Sequence, residues 1–202
     1  MKTREKIIAT AVTLFNEKGS SAVSTNHIAE AAKISPGNLY YHFNNKDEII
    51  RVIFEQMVQN WDGMWGRPLE SELSLTGLKN RIKKSFLLDL HYAFFAREIN
   101  SLLRADPLLR HRYEVIQEKR QKEQARFIQA FVEAGILQFS IAPNKLNKLL
   151  SISWVLSQYW IPFSELSNEN ITDEQIDEGV DLIMMLVEPY AKRSENGNDR
   201  HE

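Results

Sequence analysis

The chain contains no cysteine among its 202 residues. It therefore has no disulfide framework, no thiolate nucleophile and no zinc site built on cysteine. It also lacks any apolar run near the roughly 18 residues that a membrane span requires, and the segment that follows Met1 is amphipathic. These absences predict a cytoplasmic protein with no membrane partner.

The sequence has little excess of either charge, with a formal net charge of -2 at pH 7. Residues 1–50 hold six Lys and Arg against five Asp and Glu. A nucleic-acid-binding module often carries a clearer basic excess, so binding there must depend on where the charges are placed. Residues 143–192 hold three basic side chains against eight acidic ones, and this acidic end is not expected to face DNA.

Signatures of catalysis are also missing. The five histidines, at positions 27, 42, 91, 111 and 201, form no metal-ligand spacing. No glycine-rich phosphate loop or nucleophile elbow occurs. The sequence predicts no enzyme, no catalytic residue, no metal and no cofactor.

Apolar residues recur at helical spacing along most of the chain, and strand-like alternation does not appear. This pattern predicts an all-α fold. The first helix is expected from a Thr3 cap to Gly19. A later helix is expected to begin at an Asn45 cap, with Glu48 reaching back, and to continue to about Trp65. A further helical segment is expected from Leu75 to Asp106, and the last two helices follow Pro143 and Thr172.

Two short helices with a tight connection precede Asn45. The segment from Ser24 to Ala32 has Ser24 as its cap, and the segment from Ser35 to Lys46 has Ser35 as its cap and Pro36 at its first position. Within the second segment, the rings at positions 40–42 bring polar tips that a core would leave unpaired. The spacing predicts a helix-turn-helix with a polar recognition surface.

Residues 3–54 resemble the N-terminal domain of TetR-family transcriptional regulators. The resemblance lies in Leu14-Phe15-Asn16-Glu17-Lys18-Gly19, in Ile28-Ala29, and in Leu39-Tyr40-Tyr41-His42-Phe43 followed by Lys46. It implies an N-terminal three-helix helix-turn-helix domain followed by a larger helical effector-binding and dimerisation domain. We place the DNA-binding domain at residues 1–48, the second domain at 49–193 and a disordered polar tail at 194–202.

The resemblance also implies which residues contact double-stranded DNA. Those at positions of base-edge or sugar contact are Asn26, Pro36, Gly37, Asn38 and Tyr40. Those at positions of phosphate contact are Thr25, Ser35, Tyr41, His42 and Lys46. Chemically, Asn38 can pair with adenine, Pro36 can pack on a thymine methyl group, and the charge of Lys46 adds to a helix dipole that favours phosphate.

Two ring-rich segments, 86–95 and 154–163, are candidates for a small-molecule cavity. The residues proposed to contact the effector are Phe86, His91, Phe94, Phe95, Trp154 and Gln158. The same rings also fit plain core or a subunit interface, and the effector is expected to be aromatic or long and apolar.

A homodimer is expected, because one recognition helix reads few base pairs and a palindrome is read by two. The resemblance implies a four-helix interface made by the last two helices of each chain. Its expected members are Leu149, Ile152, Trp160, Leu182, Met185 and Pro189.

The predicted mechanism is a repressor that binds a palindromic operator until an effector enters the second domain and displaces the helix that follows Lys46. The alternative is a helical interaction module that has a helix-turn-helix and binds a protein partner instead of a small molecule. Ligand-dependent release from DNA discriminates between these two functions.

Overall fold

The computed structural model describes residues 2–138, 143–167 and 171–192. Within these ranges the chain forms nine α-helices and no β-strand, which confirms the predicted all-α fold. The helices are α1 Thr3–Lys18, α2 Thr25–Ala31, α3 Pro36–His42, α4 Lys46–Trp61, α5 Leu75–His91, α6 Ala93–Ala105, α7 Pro107–Glu133, α8 Pro143–Glu165 and α9 Asp173–Val187. The predicted tail, 194–202, lies outside the described residues. None of the helices in these ranges combines the length and the apolarity needed to cross a membrane.

Helix α1 covers the helix-turn-helix formed by α2 and α3. Its apolar stripe, including Ile7, Ala11 and Phe15, is fully buried, and Gly19 ends the helix with a φ of 77°. The helix begins one residue earlier than a Thr3 cap implies, with Lys2 as the N-cap. The reason is local: the backbone N–H of Lys2 donates to the carboxylate of Glu5 at 3.0 Å.

Helix α4 carries the chain out of this N-terminal unit. Asn45 caps it as predicted, accepting from the Glu48 N–H at 2.8 Å, whereas the Glu48 carboxylate reaches back to Asn44 rather than to Asn45. The expected extension to Trp65 is wrong, because α4 ends at Trp61 and Gly63 takes a φ of 82°. The chain leaves the helical conformation at Asp62, whose ψ is 129°, and the left-handed conformation that follows suits glycine.

The expected segment from Leu75 to Asp106 is divided into α5 and α6 by a break at Tyr92. A side chain from α1 satisfies the backbone groups that the break exposes. The Asn16 amide donates to the His91 carbonyl at 2.9 Å and accepts from the Phe94 N–H at 3.0 Å. The break is thereby joined to the N-terminal unit.

Helices α8 and α9 pack together in a second core with α5 and α7. Trp160 is 7% exposed, and its indole N–H donates to the Gln175 carbonyl at 2.7 Å. A side chain at Gly179 would place its Cβ 2.4 Å from the Trp160 nitrogen, so this glycine allows the close approach. The assignment of Trp160 to a dimer interface is therefore corrected, because its ring is buried within its own chain.

Candidate nucleic-acid interface and ligand cavity

The two predicted caps position the helix-turn-helix. The Ser24 hydroxyl accepts from the His27 N–H, and the Ser35 hydroxyl accepts from the Asn38 N–H, each at 3.2 Å. Pro36 occupies the first turn of α3. Both caps confirm the sequence interpretation, and they fix the start of each helix where its free N–H groups would otherwise be unpaired.

Helix α3 buries one side and exposes the other. Leu39 is 0% exposed and Phe43 is 1% exposed, whereas Tyr40 and Tyr41 are 50% and 84% exposed. The Tyr40 hydroxyl lies 2.9 Å from the Thr25 hydroxyl, which connects α3 to the start of α2. The predicted DNA-contacting residues that lie exposed are Asn26, Ser35, Pro36, Gly37, Asn38, Tyr40 and Tyr41, and those that lie partly exposed are Thr25, His42 and Lys46.

The ammonium group of Lys46 has a structural role that the sequence did not suggest. It donates to the Ser20 carbonyl at 2.5 Å and to the Val23 carbonyl at 3.0 Å, closing the loop between α1 and α2. A lysine ammonium has three donors. Two of them therefore hold the loop, and the third has no hydrogen-bond partner among the described residues.

Arg4 was not singled out from the sequence, yet it lies beside the recognition helix. Its guanidinium carbon is 5.0 Å from the centre of the Phe43 ring. The contact brings a positive charge from α1 to the end of α3. Helical periodicity gives no signal for it, since it depends on how α1 crosses α3.

A cavity of about 100 Å³ lies among α4, α5, α6, α7 and α8. Roughly 10–15 Å³ of such space holds one water molecule, so the cavity admits a small organic molecule. Of the predicted effector contacts, Phe95, Trp154 and Gln158 line it. The other lining residues are Phe54, Met57, Val58, Trp61, Trp65, Ser85, Asp89, Tyr92, Ala96, Tyr113, Ile116, Gln117, Arg120, Gln124 and Ser157.

The remaining three predicted contacts do not line this cavity. Phe86 and Phe94 are 0% exposed and belong to the two hydrophobic cores. His91 is exposed at the break between α5 and α6. Along α5 the cavity is faced by Ser85 and Asp89, which are four residues apart and lie on one side of the helix.

Burial raises the pKa of three of the lining groups, Asp89, Tyr92 and Tyr113. Burial raises the pKa of Asp89 well above its ordinary value. It also raises the pKa of Tyr113 to about 12. Asp89 is partly buried and lines the cavity.

Arg120 connects the cavity to the end of α4. Its side chain is 3% exposed and donates to the Val58 carbonyl at 2.9 Å, to Asp62 at 2.8 Å and to Glu123 at 2.6 Å. Hydrogen bonds from Lys119 and Arg120 lower the pKa of Asp62. The guanidinium group is therefore committed to partners that hold α4 against α7.

A smaller cavity of about 60 Å³ lies beside the first and shares Trp65, Ser85, Gln124 and Ser157 with it. Leu149, a predicted dimer residue, lines this second cavity. Within the described ranges, no group of three or more His, Asp and Glu side chains is arranged to hold a metal ion.

An exposed apolar stripe runs along α8, and we call it the α8 stripe. It consists of Ile152, Val155, Tyr159 and Phe163 on α8 and of Leu166 in the turn just after it, and these residues are 47–83% exposed. Of the other predicted dimer residues, Met185 is 63% exposed, Pro189 is exposed and Leu182 is partly buried.

Comparison with known proteins places both parts of the chain in one family. Residues 7–53 match the family described as bacterial regulatory proteins, tetR family, and residues 56–197 match TetR, described as bacterial transcriptional repressor. The chain is 41% identical over 192 residues to IcaR of Staphylococcus aureus strain Newman, the biofilm operon icaADBC HTH-type negative transcriptional regulator. That alignment covers 95% of this chain and 84% of the relative.

The match to IcaR of Staphylococcus epidermidis is shorter, at 33% identity over 87 residues. There the alignment spans about half of the relative, 46%, and 43% of this chain. Among solved structures, a TetR-family transcriptional regulator from Marinobacter aquaeolei VT8 superposes with a TM-score of 0.86. It is 31% identical, and the match covers 95% of this chain and 92% of that one.

Proposed function

The chain belongs to the TetR family of bacterial transcriptional regulators, and from this membership we propose a repressor that binds a palindromic operator as a homodimer and is released by a small molecule. The observation that carries the proposal is the exposed polar face of α3 on a doubly capped helix-turn-helix. Its activity is binding and release, without a chemical step, and it takes place in the cytoplasm, where bacterial DNA lies.

Base recognition is assigned to the N-terminal half of α3. Asn38 is exposed and can bind adenine bidentately, while Gly37 carries no side chain that would keep the backbone from the groove. Tyr41, Lys46 and the Ser35 hydroxyl hold phosphates at the edges of the groove. The phosphate contacts set the affinity for DNA and the register on it, whereas the base contacts set the sequence specificity.

Homodimerisation is assigned to the α8 stripe together with Met185 and Pro189. An exposed apolar stripe of this kind marks an association surface, and a two-fold axis makes it complementary to its own copy. We expect Phe163→Glu to produce monomers in sedimentation at micromolar concentration. Leu108→Glu alters an equally exposed apolar residue on α7 and is expected to leave a dimer. A dimeric Phe163→Glu variant would contradict the assignment.

The cavity is assigned to the effector, and the break at Tyr92 connects it to the DNA-binding unit. Tyr92 lines the cavity, and its hydroxyl accepts from the Asn60 amide of α4 at 2.9 Å. The backbone on either side of Tyr92 is bound by Asn16 of α1. A ligand that moves Tyr92 therefore acts on α1 and α4 together. It shifts the equilibrium between the DNA-binding and the released arrangement of these helices by the difference in its affinity for the two.

The test is selection of DNA from a random duplex pool by the purified protein at roughly physiological salt. We expect enrichment of an inverted repeat. Asn38→Ala is expected to cost about 1–3 kcal/mol of operator affinity and to relax specificity at its base pair. The control is Asn80→Ala, which removes an exposed asparagine from α5. Failure to enrich any sequence, even at lowered salt, would favour the interaction module over the repressor.

A further inference from the structure

The cavity contains one acid without a partner. Asp89 forms no side-chain hydrogen bond and no ion pair within the part of the chain that the structure describes. A carboxylate enclosed by protein is costly unless it is paired, so it either keeps its proton or requires a cation. The described residues thus leave the Asp89 carboxyl group without a counter-charge.

The neighbouring cation does not supply the missing charge. Arg120 lines the same cavity, but it is paired with Asp62 and Glu123 and donates to the Val58 carbonyl. The other titratable groups that face the cavity are Tyr92 and Tyr113, and burial raises the pKa of both, so they are neutral near pH 7. Among the described lining residues, Asp89 is the acid that is left without a partner for its ionised form.

The rest of the lining favours a cation with an apolar body. Seven aromatic side chains surround the space, namely Phe54, Trp61, Trp65, Tyr92, Phe95, Tyr113 and Trp154. The face of an aromatic ring attracts a cation, and a desolvated site strengthens the attraction. Rings and a lone carboxyl group together match an organic ammonium ion more closely than a neutral or anionic molecule.

We propose that this cavity binds a monovalent organic cation, whose charged nitrogen lies against the Asp89 carboxylate and whose apolar body lies among the rings. The inference rests on the proposed function where it makes this cation the effector, and on the cavity alone where it assigns the ligand class. Binding exchanges the proton of Asp89 for the charge of the ligand. The proton passes to solvent, and affinity therefore falls as the pH is lowered.

The experiment uses two probes of equal shape and different charge. N,N,N-Trimethylanilinium is the cation, and tert-butylbenzene is its neutral isostere. Binding to the full-length protein is followed without DNA through tryptophan fluorescence, because three of the four tryptophans line the cavity. We expect the cation to bind at least about tenfold more tightly than the isostere.

Asp89→Asn is the test variant, since the amide keeps the shape and loses the charge. We expect it to lose about tenfold or more in affinity for the cation and to bind the isostere within about twofold of the wild type. Asp181→Asn, which removes an exposed acid paired with Lys79 on the surface, is expected to change neither affinity. A cation affinity that survives in Asp89→Asn, or a wild-type preference for the isostere, would overturn the assignment.

A second measurement does not depend on how the variant folds. In the wild type, the affinity for the cation is expected to rise with pH while that for the isostere stays constant, and equal pH dependence would argue against proton exchange. Operator binding is measured separately. If the cation binds but leaves operator affinity unchanged, the ligand class stands and its role as effector fails; if the protein binds no operator at all, the proposed function fails independently.

Discussion

Arg120→Met is the substitution that most directly tests how α4 is held against α7. It removes the guanidinium group, which is 3% exposed, and keeps an apolar stem of similar length. The lost bond to the Val58 carbonyl is a charged hydrogen bond worth about 1.5–3 kcal/mol. The pair with Asp62 adds less than about 1 kcal/mol, because Asp62 is 47% exposed and keeps Lys119 as a partner.

Part of this loss is offset, since methionine does not need to be desolvated as a buried charge does. We therefore expect the free energy of unfolding to fall by about 2 kcal/mol. In a chain of this length that corresponds to a decrease of about 4–8 °C in Tm. Urea denaturation at a fixed protein concentration measures the change, because the apparent stability of the proposed dimer would depend on concentration.

Arg110→Met serves as the control on the same helix. Arg110 is 63% exposed and pairs with Glu114 one turn later, so its replacement is expected to stay within about 0.5 kcal/mol. If Arg120→Met lowered the free energy of unfolding as little as Arg110→Met, or raised it, then the cost of desolvating the Arg120 guanidinium group would equal or exceed the stabilisation from its hydrogen bonds. The argument that this arginine joins α4 to α7 would then be refuted.

Three further predictions concern recognition and pH. Gly37→Ala is expected to leave the melting temperature unchanged or slightly higher, since no atom lies within 4 Å of the added Cβ. In a gel-shift assay the same variant is expected to bind the operator more weakly, because the added methyl group contacts the groove. Tyr41→Phe combined with Lys46→Ala is expected to weaken binding to every sequence and to reduce the slope of log affinity against log salt by about one. Burial raises the pKa of Asp89, so the folded chain keeps a proton that the unfolded chain loses above about pH 4. As the pH rises above about 4, the unfolding free energy of the wild type relative to Asp89→Asn should therefore fall by about 1.4 kcal/mol per pH unit, until the pH passes the pKa of Asp89 in the folded chain. Denaturation at a series of pH values measures this fall.

Each of these has an outcome that counts against it. Full operator affinity in Gly37→Ala would place the groove contact elsewhere. A salt slope that matches the Lys122→Ala control, in which an exposed lysine of α7 is removed, would remove the phosphate assignment. A difference between wild type and Asp89→Asn that stays constant from pH 4 to 8 would mean that Asp89 titrates in the folded chain as it does in the unfolded one.

The sequence alone determined the features that depend on neighbouring residues. The Ser24, Ser35 and Asn45 caps are short-range hydrogen bonds within three residues, so their spacing predicts them directly. The burial of Leu39 and Phe43 follows from a separation of four residues on one helix. The all-α fold and the exposed face of α3 are consequences of such local patterns, and both were predicted.

The tertiary structure decided what depends on residues far apart in the chain. The helix breaks at Tyr92 although the apolar periodicity of the sequence continues through this position and no proline or glycine is near. The backbone groups beside the break are hydrogen-bonded by Asn16 from another helix. Likewise, Trp160 looked suited to an interface until its packing on Gly179 showed it to be core. Asp89 was one acid among many in the sequence. It became a candidate binding group because five helices enclose it in a cavity whose neighbouring arginine is already paired, and no local spacing encodes that enclosure.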